Sequence, residues 1–172
     1  MVTDTGKDGV LPEKQRFPVR IDKDGVWYYH DAKIFRKDIL AEFFQSLKRD
    51  DDGDYYVVTE DARYYITVED APFVVKAVWV EEDETGTERA TILLSDDSTE
   101  KLDAGTIRAG DGNVLYCSIK GGTFEARFSR AAYYQLAQYI EYDEKSGEFV
   151  LILEGGRYPL EKADHESSPN GG

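Results

Sequence analysis

Apolar residues along the chain recur first at the spacing of strands, then of a helix, then of strands again, and this order occurs twice. The first series predicts strands at 26–29 and 33–35, a helix at 37–48, and a hairpin with strands at 55–59 and 63–69. The second series predicts strands at 114–120 and 123–128, a helix at 130–144, and a hairpin with strands at 148–153 and 157–160. Each series is therefore a predicted ββαββ unit.

The two series also match position by position. The apolar faces of the two helices share one spacing and are 93 residues apart: Leu40, Phe43, Phe44 and Leu47, and Tyr133, Leu136, Ala137 and Ile140. Beyond the helices, Gly53 and Gly147 are 94 residues apart, as are Tyr64 and Tyr158. The sequence thus predicts an internal repeat.

These patterns predict an α+β fold. It consists of two repeated ββαββ units, each a curved, mostly antiparallel sheet wrapped around a helix, joined through a central β-hairpin with strands at 73–80 and 87–94. Polar segments at both ends have little to bury and are predicted to be disordered. The predicted organisation is a tail at 1–16, an N-terminal domain at 17–72, a C-terminal domain including the hairpin at 73–162, and a tail at 163–172.

Charge narrows the classes of partner. The chain has 35 acidic and 21 basic residues, a net charge of −14, which opposes binding to the phosphate backbone of nucleic acid and to anionic membrane surfaces. No apolar run approaches the roughly 20 residues of a membrane-spanning helix. The single cysteine, Cys117, excludes a disulfide within the chain and favours a reducing compartment. We expect a cytoplasmic protein with no nucleic-acid or membrane partner.

No complete set of catalytic or metal-binding residues stands out. The acidic turns at 50–54 and near Gly25 lack the spacing of calcium loops and are interpreted as turn carboxylates. The chain has two histidines, His30 and His165, which are few for a catalytic triad or a zinc site. Cys117 lies in a predicted strand without a basic neighbour and is interpreted as a core thiol. We predict no metal and no cofactor.

The polar feature of most interest is an arginine at each predicted helix start, Arg36 and Arg130. A guanidinium group there opposes the helix dipole and needs an acidic partner. The acidic residues considered as partners are Glu69, Asp70 and Glu125. Two interpretations stay open: ion pairs that lock helix to sheet, or an anion site in a groove between the two halves.

Aromatic residues indicate a second type of contact. Trp27, Trp79 and twelve tyrosines exceed what a core of this size requires and are typical of contact surfaces. Trp27 and Trp79 are therefore candidate contact residues, in a ligand site or in the face of a homo-oligomer.

Several blocks of sequence resemble one bacterial family, catalogued as domain of unknown function 1285. The resemblance rests on these segments: 24–29 (DGVWYY), 52–59 (DGDYYVVT), 68–74 (VEDAPFV) and 122–127 (GTFEAR). It departs from the family pattern at 93–97, LLSDD, which puts a role for that loop in doubt. The resemblance implies a two-domain α+β protein of repeated motifs and no established activity. It also implies a bacterial cytoplasmic protein in signalling or ligand binding, with Arg36, Glu69, Asp70, Glu125 and Arg130 as a shared site.

The leading hypothesis is a non-catalytic module that binds a small molecule or a protein partner and has a role in signal transduction. The absence of a complete catalytic set favours binding over catalysis. One alternative is a hydrolase that uses the carboxylates of Glu69, Asp70 or Glu125, assisted by magnesium. The second alternative is a homo-oligomeric structural protein.

Overall fold

A computed structural model describes residues 14–162. The chain forms two compact units, which divide between Glu69 and Asp70. The predicted disorder of the two tails concerns mainly residues 1–13 and 163–172, which lie outside the described residues. Within residues 14–162 no helix is both long enough and apolar enough to cross a membrane.

The described part of the first unit is a mixed sheet with one α-helix. In its described part the elements are β1 (Arg16–Ile21), β2 (Trp27–Tyr29), β3 (Ala32–Lys33), α1 (Lys37–Ser46), β4 (Lys48–Arg49), β5 (Tyr55–Thr59) and β6 (Ala62–Val68). The strand order is β3-β2-β1-β6-β5-β4. All neighbouring strands are antiparallel except β1 and β6, which run parallel.

The second unit contains two sheets and one helix. Its first elements, in chain order, are β7 (Phe73–Glu82), β8 (Glu88–Leu94), β9 (Thr99–Lys101), β10 (Arg108–Ala109), β11 (Leu115–Ile119) and β12 (Phe124–Phe128). The remaining elements are α2 (Arg130–Ala137), β13 (Ile140–Asp143), β14 (Glu148–Leu153), β15 (Gly156–Pro159) and β16 (Glu161–Lys162). A mixed sheet has the order β16-β10-β11-β12-β7-β8-β9, and β13-β14-β15 form a small antiparallel sheet.

These elements confirm an α+β fold that is mostly β with two helices, whereas the ββαββ order is not confirmed. A further strand follows each helix, β4 after α1 and β13 after α2. The prediction of a helix at 130–144 was too long, because α2 ends at Ala137. From Ile140 the chain is extended and pairs with β14, with Ile140 opposite Leu151. Strand β1 was not predicted, although its apolar residues Phe17, Val19 and Ile21 occupy alternate positions as in a half-buried strand.

Acidic turns close three hairpins through one local geometry. The carboxylates of Asp22, Asp50 and Asp83 each accept the backbone N–H groups two and four residues further on, at 2.9–3.0 Å. The glycine three residues after each aspartate has a φ of 84° to 88°, a conformation that side chains with a Cβ rarely adopt. These carboxylates therefore serve as turn caps, in agreement with their interpretation from the sequence.

Helix α2 is attached to the mixed sheet of the second unit at a defined point. Strand β7 has an irregular register between Val75 and Ala77. Just beyond it, the side-chain oxygen of Gln135 accepts the N–H of Val78 at 2.7 Å. Ala132 and Leu136, on the same helix, are completely buried. This attachment fixes which face of α2 remains for other contacts.

Candidate functional site

The arginine at the start of α1 is occupied by a local partner. The guanidinium of Arg36 binds the carboxylate of Asp38, with Nη2 2.6 Å from Oδ2, and both side chains are largely exposed. None of the three acidic partners considered from the sequence pairs with Arg36. Because Asp38 lies in the first turn of the same helix, this ion pair cannot lock helix to sheet, and that interpretation of Arg36 was wrong.

Glu69 and Glu125 instead serve two arginines that sequence reasoning missed. In the first unit, Nη1 of Arg20 lies 3.0 Å from Oε2 of Glu69, and its guanidinium lies 4.2 Å from the centre of the Tyr28 ring. In the second unit, Nε of Arg108 donates to Glu125 at 2.8 Å, and its guanidinium lies 4.4 Å from the centre of the Tyr116 ring. Each is an arginine held between a carboxylate and an aromatic face.

Asp70, the first residue of the second unit, is held by two groups. Its Oδ2 accepts from Nη1 of Arg127 and from the hydroxyl of Tyr116, both at 2.7 Å. Burial, together with the hydrogen bond and charge of Asp70, raises the pKa of Tyr116 to about 12. Asp70 thus binds Tyr116 directly, and Glu125 lies near the same tyrosine through Arg108, while Arg36 and Glu69 belong to the first unit.

Arg130 differs from the other arginines at these sites. Its side chain is exposed and makes no ion pair or hydrogen bond with any other of residues 14–162. The first helical residues, Lys37 and Arg130, are 93 residues apart, the same spacing as the apolar faces of the two helices. Lys37 therefore corresponds to Arg130, and Arg36 corresponds to Ser129. Ser129 caps α2 by accepting the N–H of Ala132 at 3.1 Å, whereas Arg36 makes no such bond.

The two tryptophans have different environments. Trp27 is 2% exposed, lies flat against Phe43 at a ring separation of 5.6 Å, and meets the edge of Phe44 at 5.0 Å. It is a core residue, and its burial corrects its assignment as a contact residue. Trp79 is 39% exposed on β7 and remains available for contact.

Hydrogen-bond register shows which residues of the two units correspond. Ile21 pairs with Trp27 across β1 and β2, and Ala109 pairs with Leu115 across β10 and β11. Strand β1 pairs in parallel with β6, where Ile21 lies beside Val68. Strand β10 pairs in parallel with β16, where Ala109 lies beside Lys162, which follows Val68 by 94 residues. Ala109 therefore holds the place of Ile21, and Leu115 holds the place of Trp27.

The same correspondence extends through the helices. Lys48 pairs with Tyr56 after α1, and Glu141 pairs with Val150 after α2, which continues the 93-residue spacing of the two apolar faces. By that spacing Ala137 holds the place of Phe44. Three large apolar residues of the first unit, Ile21, Trp27 and Phe44, thus correspond to smaller residues in the second.

A cavity of about 380 Å³ opens in the second unit at these smaller residues. Its lining is Ala109, Asn113, Leu115, Tyr133, Ala137, Ile140, Phe149 and Leu160. In the first unit the corresponding space holds Trp27 packed on Phe43 and Phe44. The loss of side-chain volume accounts for the cavity, because packed interiors leave few voids when every position is filled.

A second cavity of about 360 Å³ adjoins the first and shares Asn113, Leu115 and Tyr133 with it. Its walls add Arg127, Ser129, Arg130 and Tyr134. We call the two together the α2 groove: an apolar chamber at one end and a mouth with two arginines at the other. Since Asp70 neutralises Arg127, the charge left at the mouth is that of Arg130.

Cys117 and His30, two other residues with chemically reactive side chains, do not line the α2 groove. Cys117 is buried, and burial followed by the charges of Glu100, Glu125 and Asp103 raises its pKa to about 12, so its thiol is unreactive. His30 lies exposed in a turn with a φ of 57°, and His165 lies outside the described residues. Residues 14–162 contain no group of three or more His, Cys, Asp or Glu side chains placed to hold a metal ion.

Comparisons with known proteins agree with the resemblance in the sequence. Residues 12–71 match the model described as "Domain of unknown function (DUF1285), N-terminal domain". A DUF1285 family protein from Silicibacter pomeroyi has a similar structure, with a TM-score of 0.72 and 26% identity over 91% of this chain and 86% of that one. One from Shewanella baltica shares the fold, with a TM-score of 0.57 and 20% identity over 71% of this chain and 91% of that one.

No curated protein matches the chain. The family model covers the first unit, and the fold of the Silicibacter pomeroyi protein extends the likeness into the second. Residues 12–71 therefore match the model of the DUF1285 N-terminal domain, and the chain resembles a member of that family over most of its length.

Proposed function

We propose that this protein is a non-catalytic, cytoplasmic small-molecule binding module and that its ligand occupies the α2 groove. In this proposal the two units are repeats of one pattern, one of which keeps an aromatic filling while the other has exchanged it for a ligand chamber. The observation that carries the proposal is the replacement of Trp27 and Phe44 by Leu115 and Ala137 at matching positions, together with a cavity of about 380 Å³ there.

The size and lining of the groove support a small ligand. Ligand pockets commonly have volumes of about 300–1,000 Å³ and combine apolar walls with a few polar groups. Here the chamber has Leu115, Ile140 and Leu160 in its walls, and polar groups gather at the mouth. A role in signal transduction rests on the resemblance to the family and stays a prediction.

The contacts in the structure favour binding over the hydrolase alternative. Each carboxylate considered for catalysis is engaged by an arginine: Glu69 by Arg20, Asp70 by Arg127 and Glu125 by Arg108. Carboxylates held in this way are ion-pair partners rather than general bases directed at a substrate. For the homo-oligomer alternative, Trp79 supplies one exposed aromatic side chain.

The experiment that tests the proposal is a thermal-unfolding screen of the full chain against small organic molecules, repeated with Ala137→Phe. A ligand at 100 times its Kd adds about 2.7 kcal/mol to stability, which raises Tm by several degrees. Phenylalanine at 137 restores the side chain of the first unit at the corresponding position. We expect it to keep the fold and to abolish the shift caused by every ligand of the groove.

Ala131→Phe is the matched control, because it adds the same ring to an exposed position of the same helix outside the groove. The control should bind as the unchanged protein does. Ligands that shift Tm equally in both variants would contradict the assignment of the groove. The absence of any ligand across a broad panel would contradict small-molecule binding.

A further inference from the structure

We infer that the ligand of the α2 groove is an amphipathic monoanion, an organic acid whose apolar body fills the chamber and whose carboxylate binds Arg130. This inference rests on the proposed function and names the class of ligand. Three features of the groove carry it: the adjacency of chamber and mouth, the apolar lining of the chamber, and the charge at the mouth.

The adjacency of the two cavities sets the general shape of the ligand. They share Asn113, Leu115 and Tyr133, so a ligand that extends from the chamber to the mouth would contact these three residues. None of the described residues that line the chamber is Asp, Glu, Lys or Arg, so a charged group there would lose its hydration without gaining an ionic partner from them. The charged end of a ligand therefore belongs at the mouth and its apolar body in the chamber.

Charge at the mouth determines the sign of the polar end. The charged residues in its walls are Arg127 and Arg130, on a chain with a net charge of −14. Arg127 has its countercharge in Asp70 at 2.7 Å. Arg130 has none among residues 14–162, so the mouth carries one uncompensated positive charge.

One positive charge is matched by one negative charge. A carboxylate accepts two parallel N–H bonds from a guanidinium, a geometry that an ammonium group cannot provide. A second negative charge on the ligand would find Arg127 already paired with Asp70. A monocarboxylate is thus favoured over a phosphate monoester, which carries close to two charges near neutral pH.

The test compares octanoate with 1-octanol, which has the same chain and no charge, by calorimetric titration of the full protein below the concentrations at which either aggregates. Acetate reports on the head group without the body, and octyl phosphate on a second charge. We expect octanoate to bind about tenfold or more tightly than 1-octanol, since hydrogen bonds to charged groups are the stronger ones. Acetate should not bind measurably, and octyl phosphate should bind no more tightly than octanoate.

Variants locate the contact. Arg130→Ala should reduce the affinity for octanoate to that for 1-octanol and leave the affinity for 1-octanol unchanged, while Arg130→Lys should retain part of the difference. Arg36→Ala is the matched control, an exposed arginine at the start of the other helix, and should change neither affinity. Thermal unfolding of each variant shows that the fold is kept.

The outcomes separate this inference from the proposed function. Equal binding of octanoate and 1-octanol, unaffected by Arg130→Ala but lost in Ala137→Phe, would overturn the organic acid and leave the groove as a binding site. Tighter binding of octyl phosphate would overturn the single charge. Binding of neither octanoate nor 1-octanol would overturn the inference, and the broad panel described above would then decide the proposed function by itself.

Discussion

The first and second units place corresponding residues in the same hydrogen-bond register but fill the space beside the helix differently. In the first unit Trp27 packs between the sheet and the aromatic rings of α1. In the second unit Leu115 and Ala137 hold the matching positions, and a cavity lies between them. A register shared by two units therefore does not imply a shared core, because backbone pairing specifies positions and side-chain volume determines whether space is left over.

A second difference concerns the charged groups around the matching tyrosines. Tyr28 and Tyr116 each support an arginine that is paired with a glutamate. Only in the second of these two arrangements does an aspartate, Asp70, bridge the tyrosine to a further arginine, Arg127. The arrangement of arginine, glutamate and tyrosine is common to both units. The added residues, Asp70 and Arg127, occur in the second unit, where Arg127 lines the mouth of the α2 groove.

The largest expected effect comes from removing the filling of the first unit. Trp27→Ala deletes a side chain that is 2% exposed and should destabilise the first unit by about 3–5 kcal/mol, since the loss of a buried aromatic leaves a cavity. Urea unfolding measures this effect. Trp79→Ala, which removes a partly exposed tryptophan, is the control and should cost far less; equal losses would contradict the core role assigned to Trp27.

An effect of intermediate size is expected at the N-termini of the two helices, which are capped differently. Ser129→Ala removes the acceptor for the N–H of Ala132 and should cost about 1 kcal/mol. The corresponding residue, Arg36, makes no side-chain cap, so Arg36→Ser supplies an acceptor that α1 lacks and should change stability in the opposite direction. Thermal unfolding of both variants checks the signs, and a loss in each would show that the two helix starts are not equivalent.

The smallest expected effect concerns how the free energy of unfolding depends on pH, compared between the corresponding turns at Asp50 and Asp143. Burial acts to raise the pKa of Asp50, but hydrogen bonds from the N–H of Asp54, from Lys14 and from Tyr65 outweigh it, and the pKa lies well below its ordinary value. Because the pKa is lower in the folded state, the stabilisation is present above the ordinary pKa of about 3.9 and is lost as pH falls further.

Asp50→Asn should therefore destabilise the protein at neutral pH, with a difference that shrinks as the pH is lowered through 4. Asp143→Asn is the matched control, since Asp143 caps the corresponding turn. Its charged partner is Arg157 at 3.6 Å, and among the described side chains no lysine binds it as Lys14 binds Asp50. Denaturant unfolding between neutral pH and pH 3 measures both. A difference for Asp50→Asn that stays constant with pH would contradict the lowered pKa.

Much of the fold could be predicted from the chain because strand and helix spacing is local. The hairpins at 55–69 and 73–94, the helix at Lys37 and the matched apolar faces of the helices follow from that spacing. The end of α2 could not be predicted in the same way, because Ile140 continues the helical spacing and becomes a strand only by pairing with Leu151. Strand β1 was missed because its parallel partner, β6, lies far along the sequence.

The candidate site was harder to predict than the fold. The sequence drew attention to Arg130, which stays a prediction, and treated Arg36 and Arg130 as corresponding residues, whereas in the structure Arg20 corresponds to Arg108. Glu69 and Glu125 were considered as partners of Arg36 or Arg130, whereas they pair with Arg20 and Arg108. The missed arginines lie in short strands whose neighbours are set by long-range pairing, which a local pattern does not contain.

By itself the sequence determined the α+β class, the acidic turn caps and the resemblance to the DUF1285 family. Those features depend on residues that are close in the chain. Only the tertiary structure decided that Trp27 is a core residue, that Arg130 stands without a countercharge among residues 14–162, and that Leu115 and Ala137 meet at a cavity. Each of these depends on side chains brought together from distant segments, where packing and desolvation are determined.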